Sequence, residues 1–215
     1  MIDFLFTPES IARNGFQKNI EVVLAAVKSD CFYTISLPPR YLEEGAIAIG
    51  DTPLVNICSM SQYASLTYPE VAILEVAMAI ENGADEIEIP IDMIAIKNGD
   101  IDLALGEIDV LVKEIDGAAQ PTVFMESGEF NSFEQFISMV KRLELLGVYQ
   151  ITMNSDPKDF YNIKYLDETI AFIEENEMEI TLKINANINI NNLESEVDKL
   201  FERYGDSSLT VRMTL

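Results

Sequence analysis

The chain has 215 residues, of which 37 are acidic and 14 are basic, so its formal net charge at pH 7 is −23. A surface of this sign repels phosphate backbones and anionic membranes, and we expect neither nucleic acid nor a membrane as a partner. The sequence contains no histidine, which excludes Ser–His and Cys–His nucleophile pairs and histidine-ligated metal sites. Acid–base chemistry must therefore come from carboxylates, lysine, tyrosine or cysteine.

The chain opens with MIDFLFTPES, which has neither a basic stretch nor a long apolar run. This opening predicts no secretory signal and no membrane span. Two cysteines give no disulfide framework. We expect a cytoplasmic protein with a single domain over residues 1–215, a length that supports one full hydrophobic core.

Short β-rich runs alternate with longer helical patterns along the whole chain. Strands are predicted at residues 2–6, 32–37, 54–60, 86–90, 121–126, 148–153, 179–184 and 208–213. Three amphipathic stripes indicate helices between them, namely Ile101, Leu105, Ile108, Val112 and Ile115, then Phe136, Ile137, Val140 and Leu143, then Leu193, Val197, Leu200 and Tyr204. Helix boundaries are signalled by Pro69 in a first turn, by a capping box of Ser132 with Gln135, and by the glycines that follow helical runs, Gly83, Gly117, Gly147 and Gly205.

Strands separated by helices cannot form hairpins, so neighbouring strands should run parallel with right-handed crossovers. Eight strands alternating with about seven helices are typical of the α/β class called the (β/α)₈ TIM barrel. A doubly wound open sheet is the alternative, but the sequence has no glycine-rich nucleotide-binding motif to support it.

Several strands alternate sharply between apolar and polar residues, which is unusual for a parallel sheet covered by helices. Helices must cover the apolar outer face, so the polar residues are predicted to point into the barrel, as in the pairs Thr34 and Ser36, Glu86 and Glu88, Gln150 and Thr152, and Thr210 and Arg212. Lys183, in the run EITLKINANI, then shares a confined polar lumen with Glu88 and Arg212.

The stretch GADEIEIPIDMIAIKNGDIDLALGEIDVLVKEIDG at 83–117 resembles deoxyribose-phosphate aldolase, a Schiff-base (β/α)₈ enzyme. TVFMESGEF at 122–130 is similar to the KVIIETGEL segment of that family. Three weaker similarities occur in the same order as in that family, namely IDFLFTP at 2–8, SLPPRYL at 36–42 and LKINANI at 182–188. The resemblance thus spans nearly the whole chain.

The resemblance implies an activity and a set of reactive residues. Deoxyribose-phosphate aldolase cleaves 2-deoxyribose 5-phosphate into acetaldehyde and glyceraldehyde 3-phosphate through a lysine on strand six. In this chain that lysine aligns with Thr152, which has no amine and cannot form an imine. The lysine of strand seven, which tunes the first one, is kept as Lys183. The proton-moving aspartate of strand four aligns with Glu88, and the aspartate of strand one with Asp3.

Other family positions differ in ways that concern the substrate. The cysteine of strand two aligns with Ser36 and the lysine of strand five with Thr122. The paired glycines that hold phosphate align with Ala186 and Asn187. Because the sequence stops at Leu215, directly after the eighth strand, we expect a compact barrel whose final helix and phosphate-binding turn are missing. The exposed flank would favour a homo-oligomer. We therefore do not expect turnover of the family's substrate by the family's mechanism.

Lys183 has two interpretations. It could act as a relocated nucleophile, because a confined apolar environment favours the neutral amine that imine chemistry needs. Alternatively, it is a structural ion-pair partner of Glu88, in which case deleting one partner would cost about 3–5 kcal/mol. A weaker hypothesis places a hard cation between Glu86, Glu88 and Glu126; we predict no metal and no cofactor.

The carboxyl ends of the strands are where barrel enzymes carry their sites. Neutral hydrogen-bonding side chains are predicted there, at Thr152, Asn154, Asn185 and Asn187. Such a cup suits an uncharged polyol or a small carbonyl compound, although these groups could equally satisfy one another and trapped water. We assign three further residues to the ligand-binding set: Ser36, Glu126 and Arg212.

Two functional hypotheses of different classes remain. The first is a divergent aldolase-like carbon–carbon lyase in which Lys183, Glu88 and Asp3 form the reactive set. The second is a non-catalytic pseudoenzyme that binds a small neutral metabolite or serves as an assembly partner. Fold resemblance does not decide between them, because barrels host many activities.

Overall fold

The computed structural model describes most of the chain, namely residues 1–27, 33–50, 52, 55–60, 68–154, 163–186, 199, 202 and 209–214. One predicted helical stripe and one predicted helix end lie outside the described residues. These are Leu193, Val197, Leu200 and Tyr204, and Gly205.

Eight parallel strands pair in sequence order. Their bounds are β1 Ile2–Leu5, β2 Tyr33–Leu37, β3 Val55–Met60, β4 Glu86–Pro90, β5 Gln120–Met125, β6 Gln150–Asn154, β7 Thr181–Ala186 and β8 Leu209–Thr214. Strand β8 pairs with β1, in the register Asp3 to Arg212, so the sheet closes into a barrel. Each predicted strand overlaps its observed counterpart, and no strand end differs by more than two residues.

The helices lie between the strands. Their bounds are α1 Pro8–Asn14, α2 Phe16–Ala26, α3 Leu42–Ile49, α4 Pro69–Glu81, α5 Met93–Lys97, α6 Ile101–Ile115, α7 Phe133–Leu145 and α8 Leu166–Glu175. The stripes predicted for α6 and α7 face the sheet, and Leu105, Ile108, Phe136 and Val140 are buried there. No helix in the described part of the chain is long and apolar enough to span a membrane.

Helix ends follow the chemistry of their residues. Pro69 occupies the first turn of α4, where a missing N–H costs nothing. The Ser132 hydroxyl accepts a hydrogen bond from the Gln135 N–H at 3.2 Å, as predicted, but the Gln135 side chain accepts from Asn131 N–H instead of Ser132 N–H. Gly83, Gly117 and Gly147 follow their helices with positive φ.

The parallel α/β architecture predicted from the sequence is confirmed. The layer of helices is described only in part, because most of the segment between β7 and β8 lies outside the described residues. The finer prediction, a compact (β/α)₈ barrel that lacks only its final helix, stays a prediction.

Candidate active site in the barrel lumen

Alternation along the strands places a set of polar side chains inside the barrel. Apolar neighbours such as Ile35, Ile87 and Ile151 pack outward beneath the helices. The inward residues are at most 5% exposed; they are Asp3, Ser36, Glu86, Glu88, Thr122, Gln150, Thr152, Lys183, Thr210 and Arg212, together with Thr34. The prediction of a polar lumen is therefore confirmed.

Arg212 on β8 holds two carboxylates and a hydroxyl at once. Its Nε donates to Asp3 Oδ2 at 2.5 Å, and its Nη1 donates to Glu88 Oε1 at 2.7 Å. Its Nη2 donates to Ser36 Oγ at 3.0 Å. The planar guanidinium presents several donors in fixed directions, so it can bridge acceptors on three different strands in a way that an ammonium cannot.

Lys183 on β7 shares one carboxylate partner, Asp3, with Arg212 and has a second partner of its own. Its ammonium contacts Glu86 Oε1 closely and lies 3.7 Å from Asp3 Oδ2. The predicted pairing of Lys183 with Glu88 is wrong, because the guanidinium of Arg212 takes the Glu88 carboxylate. Lys183 and Asp3 are fully buried, so these contacts act with little solvent screening.

Glu86 also belongs to a second, neutral set of contacts. The Thr122 hydroxyl lies 3.0 Å from Glu86 Oε1 and 3.1 Å from Gln150 Oε1, and it can donate to only one of them at a time. Sequence reasoning missed Glu86 as the partner of Lys183 and Gln150 as a member of the network. The available signal was parity, because residues two apart on a strand share a face.

Thr152 on β6 completes the environment of Glu88. Its hydroxyl donates to Glu88 Oε2 at 2.5 Å, so the two oxygens of that carboxylate accept from Thr152 and Arg212 respectively. In the sheet register Thr152 lies beside Lys183 on the neighbouring strand. The hydroxyl thus occupies the position that the resemblance assigns to an amine.

Asp3 connects the two cations. Burial alone would raise the pKa of Asp3, but the charges of Arg212 and Lys183 and the hydrogen bonds from Arg212 and Ser36 outweigh burial and hold that pKa below its usual value. Ser36 Oγ lies 2.9 Å from Asp3 Oδ1 and 2.8 Å from Asp3 Oδ2. Asp3 is therefore an ionised carboxylate at neutral pH.

The described lumen holds more negative than positive charge. Three buried carboxylates, those of Asp3, Glu86 and Glu88, face two buried cations, Lys183 and Arg212. Every buried side-chain nitrogen and oxygen among the described residues has a hydrogen-bond partner. The network is therefore ordered before any ligand binds, which favours fixed positions for reactive groups.

The mouth of the barrel carries neutral amides at the carboxyl ends of β6 and β7. Asn154 and Asn185 are half-buried, and Asn185 Nδ2 donates to Asn154 Oδ1 at 2.8 Å. Glu126, one residue beyond β5, is exposed and lies apart from the buried ion pairs. Asn187 lies outside the described residues.

The described residues offer little support for the cation-site hypothesis. Glu86 and Glu88 already accept from Lys183 and Arg212, while Glu126 is exposed to solvent. Within the described ranges, no group of three or more Cys, Asp or Glu side chains is placed to hold a metal ion.

Comparison with known proteins shows what this chain is similar to. No protein-family model matches the chain. A segment of 86 residues is 31% identical to the deoxyribose-phosphate aldolase of Streptococcus gordonii, and it covers 40% of this chain and 39% of that protein. The protein resembles deoxyribose-phosphate aldolase.

Solved structures support the fold of deoxyribose-phosphate aldolase over nearly the whole chain. The tetrameric deoxyribose-phosphate aldolase from Aeropyrum pernix has a TM-score of 0.68 at 13% identity, over 98% of this chain and 84% of that one. An aldolase called QR15 has a TM-score of 0.70 at 15% identity, over 98% of this chain and 89% of that one. At sequence identities this low, the similarity shows a shared fold and nothing more.

The strand positions implied by the resemblance to deoxyribose-phosphate aldolase agree with the observed topology. Asp3 lies on β1, Glu88 on β4, Thr152 on β6 and Lys183 on β7. The contacts described above bring all four into one connected network through Arg212. Their catalytic and ligand-binding roles stay predictions.

Proposed function

We propose that this protein is a divergent, deoxyribose-phosphate-aldolase-like (β/α)₈ barrel that acts as a carbon–carbon lyase. In this proposal the chain has lost the Schiff-base lysine of strand six and most of the phosphate site. Lys183, Glu88 and Asp3 form its reactive set. The observation that carries the proposal is the fully buried Lys183, whose ammonium contacts a carboxylate that can accept its proton.

Imine chemistry requires the neutral amine. Lys183 Nζ is close enough to Glu86 Oε1 to pass its proton directly to that carboxylate. The free amine then attacks the carbonyl carbon of the substrate. Glu86 returns its proton to the departing hydroxyl, and loss of water leaves a protonated imine. That imine accepts the electron pair of the breaking carbon–carbon bond.

The other half of the cleavage needs a base. The hydroxyl on the carbon beyond the breaking bond must lose its proton as it becomes the carbonyl of the first product. We assign this role to Glu88, with Asp3 holding Arg212 in place beside it. Glu88 then gives this proton to the remaining enamine carbon, and hydrolysis of the resulting imine with water releases the second product and restores Lys183.

The proposed substrate is a small uncharged polyol or carbonyl compound. The excess of carboxylates in the described lumen disfavours an anionic group there. The amides of Asn154 and Asn185 can donate to and accept from hydroxyl groups at the mouth. We include Asn187, Ser36 and Thr152 in the same ligand-binding set, while the exposed Glu126 is its least supported member.

Borohydride trapping with intact-mass readout tests the lyase. Wild-type protein is incubated with deoxyribose 5-phosphate and with a panel of small aldehydes and ketones, then reduced. We expect one adduct, mapped to Lys183, that is lost in Lys183→Met and kept in Lys113→Met, where an exposed lysine is removed. A folded wild-type protein that gives no adduct with any compound would contradict imine catalysis.

One observation favours a second candidate, a non-catalytic binding protein. The Thr152 hydroxyl donates to Glu88 and completes a network in which the described buried groups are all partnered. A pseudoenzyme of this kind would bind a small neutral metabolite at the mouth without turning it over. Ligand-dependent rises in melting temperature, with no adduct and no product, would distinguish it from the lyase.

We further propose that the chain is a single domain that works in the cytoplasm as a homo-oligomer. The sequence has only two cysteines, too few for a disulfide framework, and this supports a reducing compartment. The description of the Aeropyrum pernix relative as tetrameric supports self-association. Light scattering coupled to size-exclusion chromatography would give the subunit number, and a monomer at micromolar concentration would contradict it.

A further inference from the structure

Two neighbouring helices leave an apolar groove on the outside of the barrel. Helices α4 and α6 pack against each other. A cavity of about 340 Å³ lies between them and is lined by Pro69, Ala72, Asp102, Leu103, Gly106, Glu107, Val110 and Leu111. We call this feature the α4/α6 groove. It belongs to the helical layer and shares no residue with the lumen network.

Exposed apolar side chains occur on both helices that form this groove. On α4 they recur at helical spacing at Val71, Leu74 and Met78, and on α6 at Leu103 and Val110. Each of the five is between 43% and 59% exposed. Single exposed apolar residues are ordinary, but Leu103 and Val110 lie together in the lining of one groove, which favours an interaction surface there.

Gly106 gives the groove its depth. A glycine within a helix is destabilising because of its backbone freedom. A Cβ built on Gly106 would meet no heavy atom within 4 Å, so contacts within the described protein do not require glycine there. The missing side chain leaves room for a segment from outside to approach the backbone of α6.

Two carboxylates, those of Asp102 and Glu107, line the groove, and Asp102 is paired with Arg142 at 2.6 Å. Glu107 lines it and has no cationic partner among the described residues. Burial, and after it the charge of Asp92, raises the pKa of the Glu107 carboxyl, as expected for a carboxylate without compensation. Helix α4 carries Glu70, Glu75 and Glu81 and has no lysine or arginine.

This charge pattern favours some binding partners of the groove over others. A second copy of the chain, with a net charge of −23, would bring like charge against Glu107, which disfavours this groove as the contact between copies. A cationic segment would be attracted by the same field and would place its charges beside Glu107. An apolar groove between two helices accepts the apolar face of a third helix.

We propose that the α4/α6 groove binds a cationic amphipathic helix of a partner protein. The apolar face of that helix fills the space beside Gly106 and covers Leu103 and Val110. Lysine or arginine residues along its edges pair with Glu107 and with the acidic residues of α4. This inference does not depend on the reaction proposed for the lumen.

The test uses synthetic peptides and the full chain. A fluorescent Leu/Lys amphipathic helix is compared with its Leu/Glu counterpart and with a scrambled Leu/Lys peptide of the same composition. Gly106→Leu fills the groove, and Glu107→Gln removes its charge. Leu103→Glu provides a second groove variant should Gly106→Leu fold poorly. Glu174→Gln, on the exposed face of α8, is the control with the same charge change.

We expect the Leu/Lys helix to bind and its Leu/Glu counterpart not to bind. Gly106→Leu should raise Kd by about tenfold or more. Glu107→Gln should raise Kd about threefold and flatten its salt dependence, while Glu174→Gln leaves it unchanged. Equal binding of the scrambled peptide, or an unchanged Kd in both groove variants, would overturn the proposal. Sedimentation showing self-association that Gly106→Leu abolishes would assign the groove to a second copy and overturn it as well.

Discussion

Arg212→Met tests whether the lumen is held together by buried ion pairs. Methionine keeps most of the volume of the side chain but removes every donor. In the wild type, the guanidinium donates to Asp3 Oδ2 at 2.5 Å, to Glu88 Oε1 at 2.7 Å and to Ser36 Oγ at 3.0 Å. Because Arg212 is fully buried, water cannot replace these donors.

The loss of stability in Arg212→Met depends on which partners each carboxylate retains. Asp3 retains Lys183, whose Nζ lies 3.7 Å away, whereas Glu88 retains only the hydroxyl of Thr152 among the contacts described. Removing one partner of a buried pair costs about 3–5 kcal/mol. We expect the upper end, about 5 kcal/mol, which corresponds to a fall in Tm of about 10–20 °C for a chain of this length.

Urea unfolding at pH 7 measures the effect. The control is Arg142→Met, which removes an exposed guanidinium 2.6 Å from Asp102 and should cost less than about 1 kcal/mol. Adding Glu88→Gln should recover part of the loss.

Two results would refute this reasoning. One is a cost of Arg212→Met that matches the cost of Arg142→Met. The other is a double variant, Arg212→Met with Glu88→Gln, that is less stable than the sum of its single changes. Either result would mean that the packing of Arg212, and not its charge, stabilises the barrel.

Two further predictions concern Asp3 and Thr152. The pKa of folded Asp3 is lowered, so its stabilising contribution is present above its ordinary value of 3.8 and is lost as the pH falls through the folded pKa. The free-energy gap between wild type and Asp3→Asn should therefore shrink as the pH drops below 3.8, and a gap independent of pH would show that ionisation of Asp3 does not matter. Thr152→Lys places an amine beside Glu88 and should give an adduct at position 152 that borohydride traps from small aldehydes. A folded Thr152→Lys protein without an adduct, alongside an equally inert Thr152→Met, would show that the lumen no longer supports an imine at that strand.

The strands and the inward face of the barrel could be predicted from sequence because both depend on a local period. Side chains two residues apart on a strand share a face. Because the apolar side chains pack against the helices, the polar side chains between them must point into the barrel. The alternation of Ile87 and Ile89 with Glu86 and Glu88 was sufficient to place both carboxylates inside. The order of the strands followed from the helices that separate them.

The pairing of the charges could not be predicted in the same way. Glu86 and Glu88 have the same parity, and a local period does not say which of them a lysine three strands away will reach. That choice depends on Arg212, whose guanidinium pairs with Glu88 and Asp3 together. Glu86 is then the carboxylate that pairs with Lys183. The exposure of Glu126 could not be predicted for a related reason, because parity says nothing about burial beyond the last residue of a strand.

Position 152 links the charge balance of the lumen to the choice between a lyase and a binding protein. A lysine there would bring the described buried cations to three, equal to the three carboxylates, and would compete with Arg212 for Glu88. With threonine there, Glu88 is bound by Arg212 and a hydroxyl, and Lys183 faces Glu86 and Asp3. The two proposals therefore differ by one proton transfer. A lyase must move the proton of Lys183 onto Glu86 when a carbonyl compound enters, whereas a binding protein can keep this ion pair unchanged throughout.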